Sequence, residues 1–339
     1  MTPRERLFAV LDGQPTDRLP IWLLFPYHPT GYYVDVRTHP GYREIYEYSR
    51  DRAIMLNRRN PSVPLFSEGF DSGPSQRINC DEQLDDIFRR PILQDKAKIE
   101  ELLKEQLEHY LKEKDEFPSQ YGAMMLDLGE PVNWLYHNLD MQEYAVWSLT
   151  RPGEIKVFLD QVYQQKLLVY RYFLERDAAD VYFMVGSELA APPMVSHQTF
   201  REWIVPYAKG LIDLVHSYGK RVIQHFHGQV RTLLDDFVVM GPDALHTIEA
   251  PPIGDCTFGD AFDIVGDRIT LIGNIQYDDF RALTQEQMRT AVLDVIEECR
   301  GRRLILSPSA GPFDETLSDR MKQNYLTFIK TAWEAEDWR

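Results

Sequence analysis

The sequence predicts an α/β fold, a (β/α)8 (TIM) barrel forming one domain over residues 1–339, and three observations carry that prediction. Short apolar runs alternate with amphipathic helical stretches eight times along the chain. Their spacing of roughly 30–40 residues is that of a parallel sheet with helical crossovers. The runs are apolar almost without interruption, as strands covered on both faces are. Polar residues gather just after these runs, at the ends where barrel active sites lie. A doubly wound open sheet is the structural alternative, but no run is followed by the Gly-x-Gly-x-x-Gly fingerprint.

Taken in order, residues 2–12 read as a short N-terminal helix capped by Thr2, with Pro3 at its first position and Glu5 three residues after the cap. RLPIWLLFP is the first strand, residues 42–53 are helical in pattern, and IMLN is the second strand. Residues 60–92, rich in Pro, Gly, Ser and Asp and without a clear period, read as an irregular insertion or hairpin near a site entrance. Residues 95–115 form a charged helix with Ile99, Leu102, Leu103, Leu107 and Leu111 on one stripe. YGAMMLDLG is the third strand, followed by helices over 131–149 and 152–177. ADVYFMVGSELA is the fourth strand, and a helix runs from about Ser196 to Tyr218. The remaining strands are KRVIQHFHG, DALHTIEAPP, RITLIGNIQ and RRLILSPSA. Between and after them lie a short helix RTLLDDFVVMG, a helical turn GDAFDIVGD, a helix over 284–299 opened by Thr284, and a terminal helix over 314–335.

The totals narrow the function class. A net charge of −16 argues against a nucleic-acid binder, which needs clustered Lys and Arg, and against an anionic membrane surface. No apolar run approaches the roughly 20 residues that span a bilayer. The opening MTPRERLFAVLDGQPTDR carries charges where a signal peptide has an apolar core. Cys80, Cys256 and Cys299 are odd in number and widely spaced, which fits a reducing cytoplasm. A soluble, cytoplasmic globular protein is the expectation.

The strand ends supply the candidate chemistry. In KRVIQHFHGQV, His225 and His227 stand two apart and so share a face on a strand. Two polar residues without a joint role would read the same. With Glu249 from the next strand end they would make the two-histidine, one-carboxylate set of many catalytic zinc sites. His246 lies three residues before Glu249, faces the other way, and reads as structural. Asp127 and Glu130 end the third strand, Glu188 the fourth, Asn274 and Gln276 the seventh, and Ser307 and Ser309 the eighth. Asp, Ser and Asn at such junctions are commonly helix caps. Glutamate is a weaker cap, which singles out Glu188 and Glu249. The aromatic first loop (Tyr27, Tyr32, Tyr33, beside His28) and the Trp134–Tyr136 stretch would line an apolar pocket or pack as core.

The opening MTPRERLFAVLDGQPTDRLP, the HFHG segment, GPDALHTIE, GDRITLIGNIQ and LSPSAGP together resemble the uroporphyrinogen decarboxylase superfamily over nearly the whole chain. The resemblance implies a (β/α)8 barrel and places the chain among relatives that include corrinoid-dependent methyltransferases. Authentic decarboxylases of that group carry an Arg-Gln-Ala-Gly-Arg motif after the first strand, where this chain reads LFPYHPTGYYVDV. Arg37, Arg43, Arg58 and Arg59 are nearby cations but do not form that motif. In the zinc methyltransferases a His-x-Cys and a later Cys bind the metal. His225 matches the histidine, His227 stands at the first cysteine, and Ala310 stands near the second. Imidazole and carboxylate in place of thiolate make a harder, more Lewis-acidic site, suited to polarising an ether or alcohol oxygen.

The resemblance therefore implies a zinc-dependent methyltransferase acting between a small methoxylated substrate and a corrinoid (cobalamin). His225, His227 and Glu249 would bind the metal, Glu188 would be a ligand or an acid/base partner, and Asn274 and Gln276 would orient substrate. Tyr27, His28, Asp127 and Trp134 would contact it. No Asp-x-His-x-x-Gly cobalamin segment is present, so a separate corrinoid protein is the expected partner, and dimers, common in the family, make a homodimer a further expectation. A metal-independent carboxy-lyase acting on a porphyrinogen or smaller acid is the alternative. A barrel that binds a tetrapyrrole without chemistry is a third reading.

Overall fold

A computed structural model describes residues 1–29, 34–68, 77–335 and 338. Among these the strands are β1 (Met55–Arg59), β2 (Gly122–Asp127), β3 (Val181–Val185), β4 (Arg221–His225), β5 (Ala244–His246), β6 (Thr270–Ile275) and β7 (Leu304–Pro308). They form one seven-stranded sheet in chain order, and the β3–β4, β5–β6 and β6–β7 pairs are parallel. Helices fill the intervals, as parallel neighbours require. The apolar runs are buried as expected: every residue of β2 and β7 is inside.

The expected first strand is a correction. Among the described residues RLPIWLLFP pairs only at Ile21, with Leu306 of β7, and at Trp22, with Ile54 just ahead of β1. Leu306 N donates to Pro20 O at 2.9 Å, Trp22 N to Leu306 O at 2.9 Å, and Ile54 N to Ile21 O at 2.6 Å. Two features shorten the pairing. Pro20 has no N–H to add to a ladder, and Leu24 takes φ +62°, which turns the chain out of the extended region.

Two helical expectations and one irregular stretch also change. The run 131–149 is two helices, Asn133–Asn138 and Met141–Thr150, because Asp140 caps a new start by accepting from Gln142 N and Glu143 N. The run from Ser196 is broken into His197–Trp203 and Val205–Ser217, since Pro206 removes a donor and crowds the preceding turn. Within 60–92 a helix forms at Asp81–Arg89, and the segment is closed at its base by an antiparallel Phe66–Ile92 bridge. Residues 69–76 of that insertion, and Tyr32 and Tyr33, lie outside the described residues.

The chain forms two compact units. The first comprises Met1–Arg59, Lys112–Met125 and Phe226–Arg339, the second Asn60–Leu111 and Leu126–His225. In the first, helix Pro3–Leu11 starts at Thr2 with the expected reciprocal capping box, and Thr270 Oγ1 donates to Val10 O at 2.9 Å, tying the helix end to β6. In the second, buried Gln165 on helix Pro152–Leu174 donates to the carbonyls of Pro64 (3.0 Å), Leu65 (3.2 Å) and Leu93 (3.0 Å). One amide thus satisfies carbonyls that a loop would otherwise leave dry. Among the described residues no helix is long and apolar enough to cross a membrane.

Candidate functional site

In the first unit polar side chains of the segment 226–228 meet those beyond the ends of β5 and β6. Glu249, three residues past β5, is buried at 4% exposure. Its Oε2 accepts from Gly228 N at 2.8 Å and lies 3.3 Å from Nδ1 of His227, whose side chain is 43% exposed. Burial alone would raise the Glu249 carboxyl, but His227 and the Gly228 N–H outweigh it and hold the group below its ordinary value. Glu249 is thus ionised at neutral pH. Gln276 is set in turn by Ser309, whose Oγ donates to its Oε1 at 3.1 Å. The backbone behind Glu249 is packed closely: a Cβ on Gly254 would stand 2.0 Å from Glu249 O, so only glycine fits that turn. Asn274 is half-buried on β6, paired in register with Ser307. His246 is buried, packs against the Trp22 ring at 5.4 Å, and has its pKa lowered to about 3 by burial and by the charge of His227. It is neutral at working pH.

Tyr27 and His28 belong to a separate cluster of the same unit. The Tyr27 ring stacks edge-on against His28 (4.8 Å) and Phe117 (5.4 Å), with the Arg37 guanidinium 4.4 Å above it. His28 Nε2 lies 3.4 Å from Glu116, and its backbone N donates to Asn57 at 2.8 Å. Burial lowers the His28 pKa.

In the second unit a buried polar group forms at the ends of β2, β3 and β4. Asp127 accepts from Asn60 Nδ2 at 2.8 Å and from Gly129 N at 3.1 Å. Glu130 is fully buried. Its Oε1 accepts from Ser187 Oγ at 2.6 Å and from Gln224 Nε2 at 3.2 Å, and Gln224 Nε2 also donates to Ser187 Oγ at 2.8 Å. Glu130 Oε2 is buried and has no hydrogen-bond partner among the described residues. Leaving such a group unmatched costs about 1–3 kcal/mol, which asks for an explanation. Burial raises the Glu130 carboxyl to about 7, with the charges of Glu188 and Asp127 adding to it against the Ser187 and Gln224 donors. Burial also lowers Lys166 to about 8, and its Nζ donates to Leu128 O. Gly186 (φ +136°) brings the chain against Asn133, 1.9 Å from where a Cβ would stand, and so turns Ser187 inward. Glu188 is half-buried in the turn Ser187–Ala190. His225 closes β4 with its ring 5.4 Å from Phe183, and Trp134 packs between Phe66 (5.4 Å) and Phe158 (5.5 Å).

Of the expected metal ligands, then, His227 and Glu249 are brought together. Neighbouring donors on a tetrahedral zinc with bonds of about 2.0–2.1 Å are separated by about 3.3 Å. The 3.3 Å contact therefore suits two zinc donors as well as a hydrogen bond. Among the described residues no group of three or more His, Cys, Asp or Glu is arranged to hold a metal ion. Cys256 is buried with its thiol pushed up to about 12, first by burial and then by Asp260 and Asp255, so it is a poor thiolate donor. Residue spacing pointed to His227, Glu249 and Gln276. It gave no prominence to Glu130, Ser187 and Gln224, whose junction exists only once three strands are side by side.

Comparison with known proteins adds three findings. A family model described as Uroporphyrinogen decarboxylase (URO-D) matches residues 133–325. Methylcobamide:CoM methyltransferase MtaA of Methanosarcina barkeri is 26% identical over 145 residues, 43% of this chain and 40% of that protein. The match thus spans well under half of that relative's length. A solved methyltransferase from Methanosarcina mazei superposes with a TM-score of 0.63 at 17% identity, covering 98% of both chains, which establishes a shared fold.

Proposed function

The chain belongs to the uroporphyrinogen decarboxylase (URO-D) family, and from that premise we propose that it is the methyltransferase of a corrinoid-dependent system. It moves a methyl group between a small methoxylated molecule and a corrinoid carried by a separate protein. The observation that carries this reading is the 3.3 Å approach of Glu249 Oε2 to His227 Nδ1, the spacing of two donors on one metal. The likeness to a methylcobamide methyltransferase supports the corrinoid half.

In this proposal His227 and Glu249 hold zinc, with His225, two residues earlier in the chain, as the expected third donor. The zinc supplies Lewis acidity at the oxygen that loses the methyl group, and the reduced corrinoid supplies the electron pair that accepts it. The chain's own contribution is positional. Gly228 N holds the Glu249 carboxylate, Ser309 holds Gln276, and Asn274 with Gln276 presents amide groups to the substrate.

The carboxy-lyase alternative needs arginines ready to receive carboxylates. Arg59 is already paired with Glu113 at 2.5 Å and Arg43 with Glu47 at 2.9 Å, and Arg37 lies over Tyr27. That pairing favours the methyltransferase. The test is spectroscopic: free cob(I)alamin should lose its absorption when methoxybenzene, methoxybenzoate or methanol is added with wild-type protein. Elemental analysis should find about one zinc per chain, lost in His227→Ala and Glu249→Ala. Retention of the cob(I)alamin band with all three methyl donors, in zinc-replete protein, would overturn the proposal.

A further inference from the structure

One aromatic side chain beside the candidate site shapes a loop that the methyltransferase reading leaves without a role. We propose that Tyr277 is a positioning residue of this site: the loop 309–314 after β7 is clasped around it, and through Ser309 that clasp fixes the amide of Gln276. The effect on turnover rests on the function proposed above; the clasp does not.

Every link lies within the first unit, and each has a direction. Tyr277 directly follows Gln276 beyond β6 and is buried. Its backbone N donates to Ser309 Oγ at 3.1 Å, at the start of the loop. Its ring lies against Gly311 (φ +106°), where a Cβ would stand 2.2 Å from Tyr277 Cε2. Its hydroxyl donates to Asp314 Oδ2 at 2.6 Å and accepts from Phe313 N at 3.0 Å, at the loop's end. The Phe313 ring adds an edge contact at 5.2 Å. Ser309, Gly311, Phe313 and Asp314 thus all bear on one side chain.

The clasp is anchored at both sides. Arg281 Nη2 donates to Asp314 Oδ2 at 2.8 Å and to Oδ1 at 3.0 Å, while its guanidinium covers the Tyr277 ring at 4.7 Å. The turn after β6 is held from behind by buried Asn324, which donates to Phe280 O (3.1 Å) and Leu283 O (2.8 Å). The loop after β7 therefore takes its shape from a fixed base.

The consequence reaches Gln276 by a count of hydrogens. A serine hydroxyl has one hydrogen. With Tyr277 N already donating to Ser309 Oγ, that hydrogen is directed at Gln276 Oε1, 3.1 Å away. Ser309 N, donating to Ile275 O at 2.8 Å, keeps the serine itself in place. The oxygen end of the Gln276 amide is thereby claimed, which leaves its N–H end to face the other way. Tyr277 acts through Ser309 and Gln276, as outer partners orient the groups that meet a substrate.

Nuclear magnetic resonance on protein carrying isotope-labelled glutamine reads that amide directly, its Gln276 side-chain signal being identified by its loss in Gln276→Ala. The signal should move in Ser309→Ala and in Tyr277→Phe, and the Phe313 amide should exchange faster with solvent in Tyr277→Phe. Asp314→Ala opens the clasp from the loop side and should move the same signal, which keeps the test in force if Tyr277→Phe folds poorly. With cob(I)alamin and a methyl ether that the wild type accepts, Tyr277→Phe should slow methyl transfer about 10–10²-fold, as a slight misplacement of a positioning group does. It should slow it no further in a Gln276→Ala background, because it acts through that amide. A Gln276 signal unmoved in every one of these variants overturns the clasp. A Tyr277→Phe rate equal to wild type, or equal slowing in both backgrounds, overturns positioning through Gln276 with the methyltransferase reading intact. A responsive signal in a protein that transfers no methyl group overturns that reading and upholds the clasp.

Discussion

Replacing Glu249 by Gln removes one charge and almost no volume, so its effect isolates the electrostatics of the His227 pair. Glu249 Oε2 accepts a short bond from Gly228 N (2.8 Å) and a longer contact from His227 Nδ1 (3.3 Å). A bond to a charged acceptor contributes about 1.5–3 kcal/mol and a neutral one about 0.5–1.5 kcal/mol. Neutralising this acceptor should therefore cost about 1–3 kcal/mol. With a melting entropy of about 2.1 cal/mol/K per residue, a chain of this length should melt about 1–4 °C lower. The pH dependence fixes the cause. The folded carboxyl sits below its ordinary value of 4.5, so its stabilisation is fully present above that value and is lost as pH falls through the folded one. Calorimetry at neutral pH should separate wild type from Glu249→Gln, and the gap should close in acid. Equal melting temperatures at neutral pH would refute the reasoning, as would a gap that persists unchanged well below pH 4.

Gly254→Ala should cost about 1–3 kcal/mol, because its Cβ would stand 2.0 Å from Glu249 O, whereas Gly153→Ala meets nothing within 4 Å and should be neutral or slightly stabilising; paired thermal melts check both. Lys166→Met should remove a rise in stability from about pH 8 upward, since the folded lysine, at about 8, releases its proton before the unfolded one does at 10.5; denaturant melts between pH 8 and 9.5 measure the slope. Thr284→Ala should lower stability by about 1 kcal/mol without altering the pH dependence, because it removes only the capping box with Gln287.

How far each feature was legible in the sequence follows from how local its cause is. The caps at Thr2, Thr284 and Ser196 are written within four residues, and the structure has them. The apolar runs of β2, β3, β6 and β7 declare themselves by burial on both faces. RLPIWLLFP reads as a strand by the same criterion, but the turn at Leu24 depends on what the chain meets beyond it. Helix Asp81–Arg89 was hidden because its stripe is only Leu84 and Ile87 within an otherwise polar stretch. At the site, Glu249 and Gln276 stand out as polar residues at strand ends, whereas Gln224 lies inside β4 and reads as strand interior. Its importance comes from Glu130 and Ser187, 94 and 37 residues away in the chain.

The Ile21–Leu306 and Trp22–Ile54 bridges also set an order of events during synthesis. The second unit is drawn from residues 60–225 and is complete while the last third of the chain is still unmade. The first unit is not: Arg18 reaches its partner carbonyl at Trp333 only after 315 further residues have been joined. Until then the Pro20–Trp22 backbone has no partner on the β7 side, and Leu19, Ile21 and Leu23, which are buried at the end, stay uncovered. Such long-range closure is slow and exposes aggregation-prone apolar surface in the meantime. The Leu19–Leu23 segment thus needs shelter as it is born, although in the finished molecule these side chains are buried.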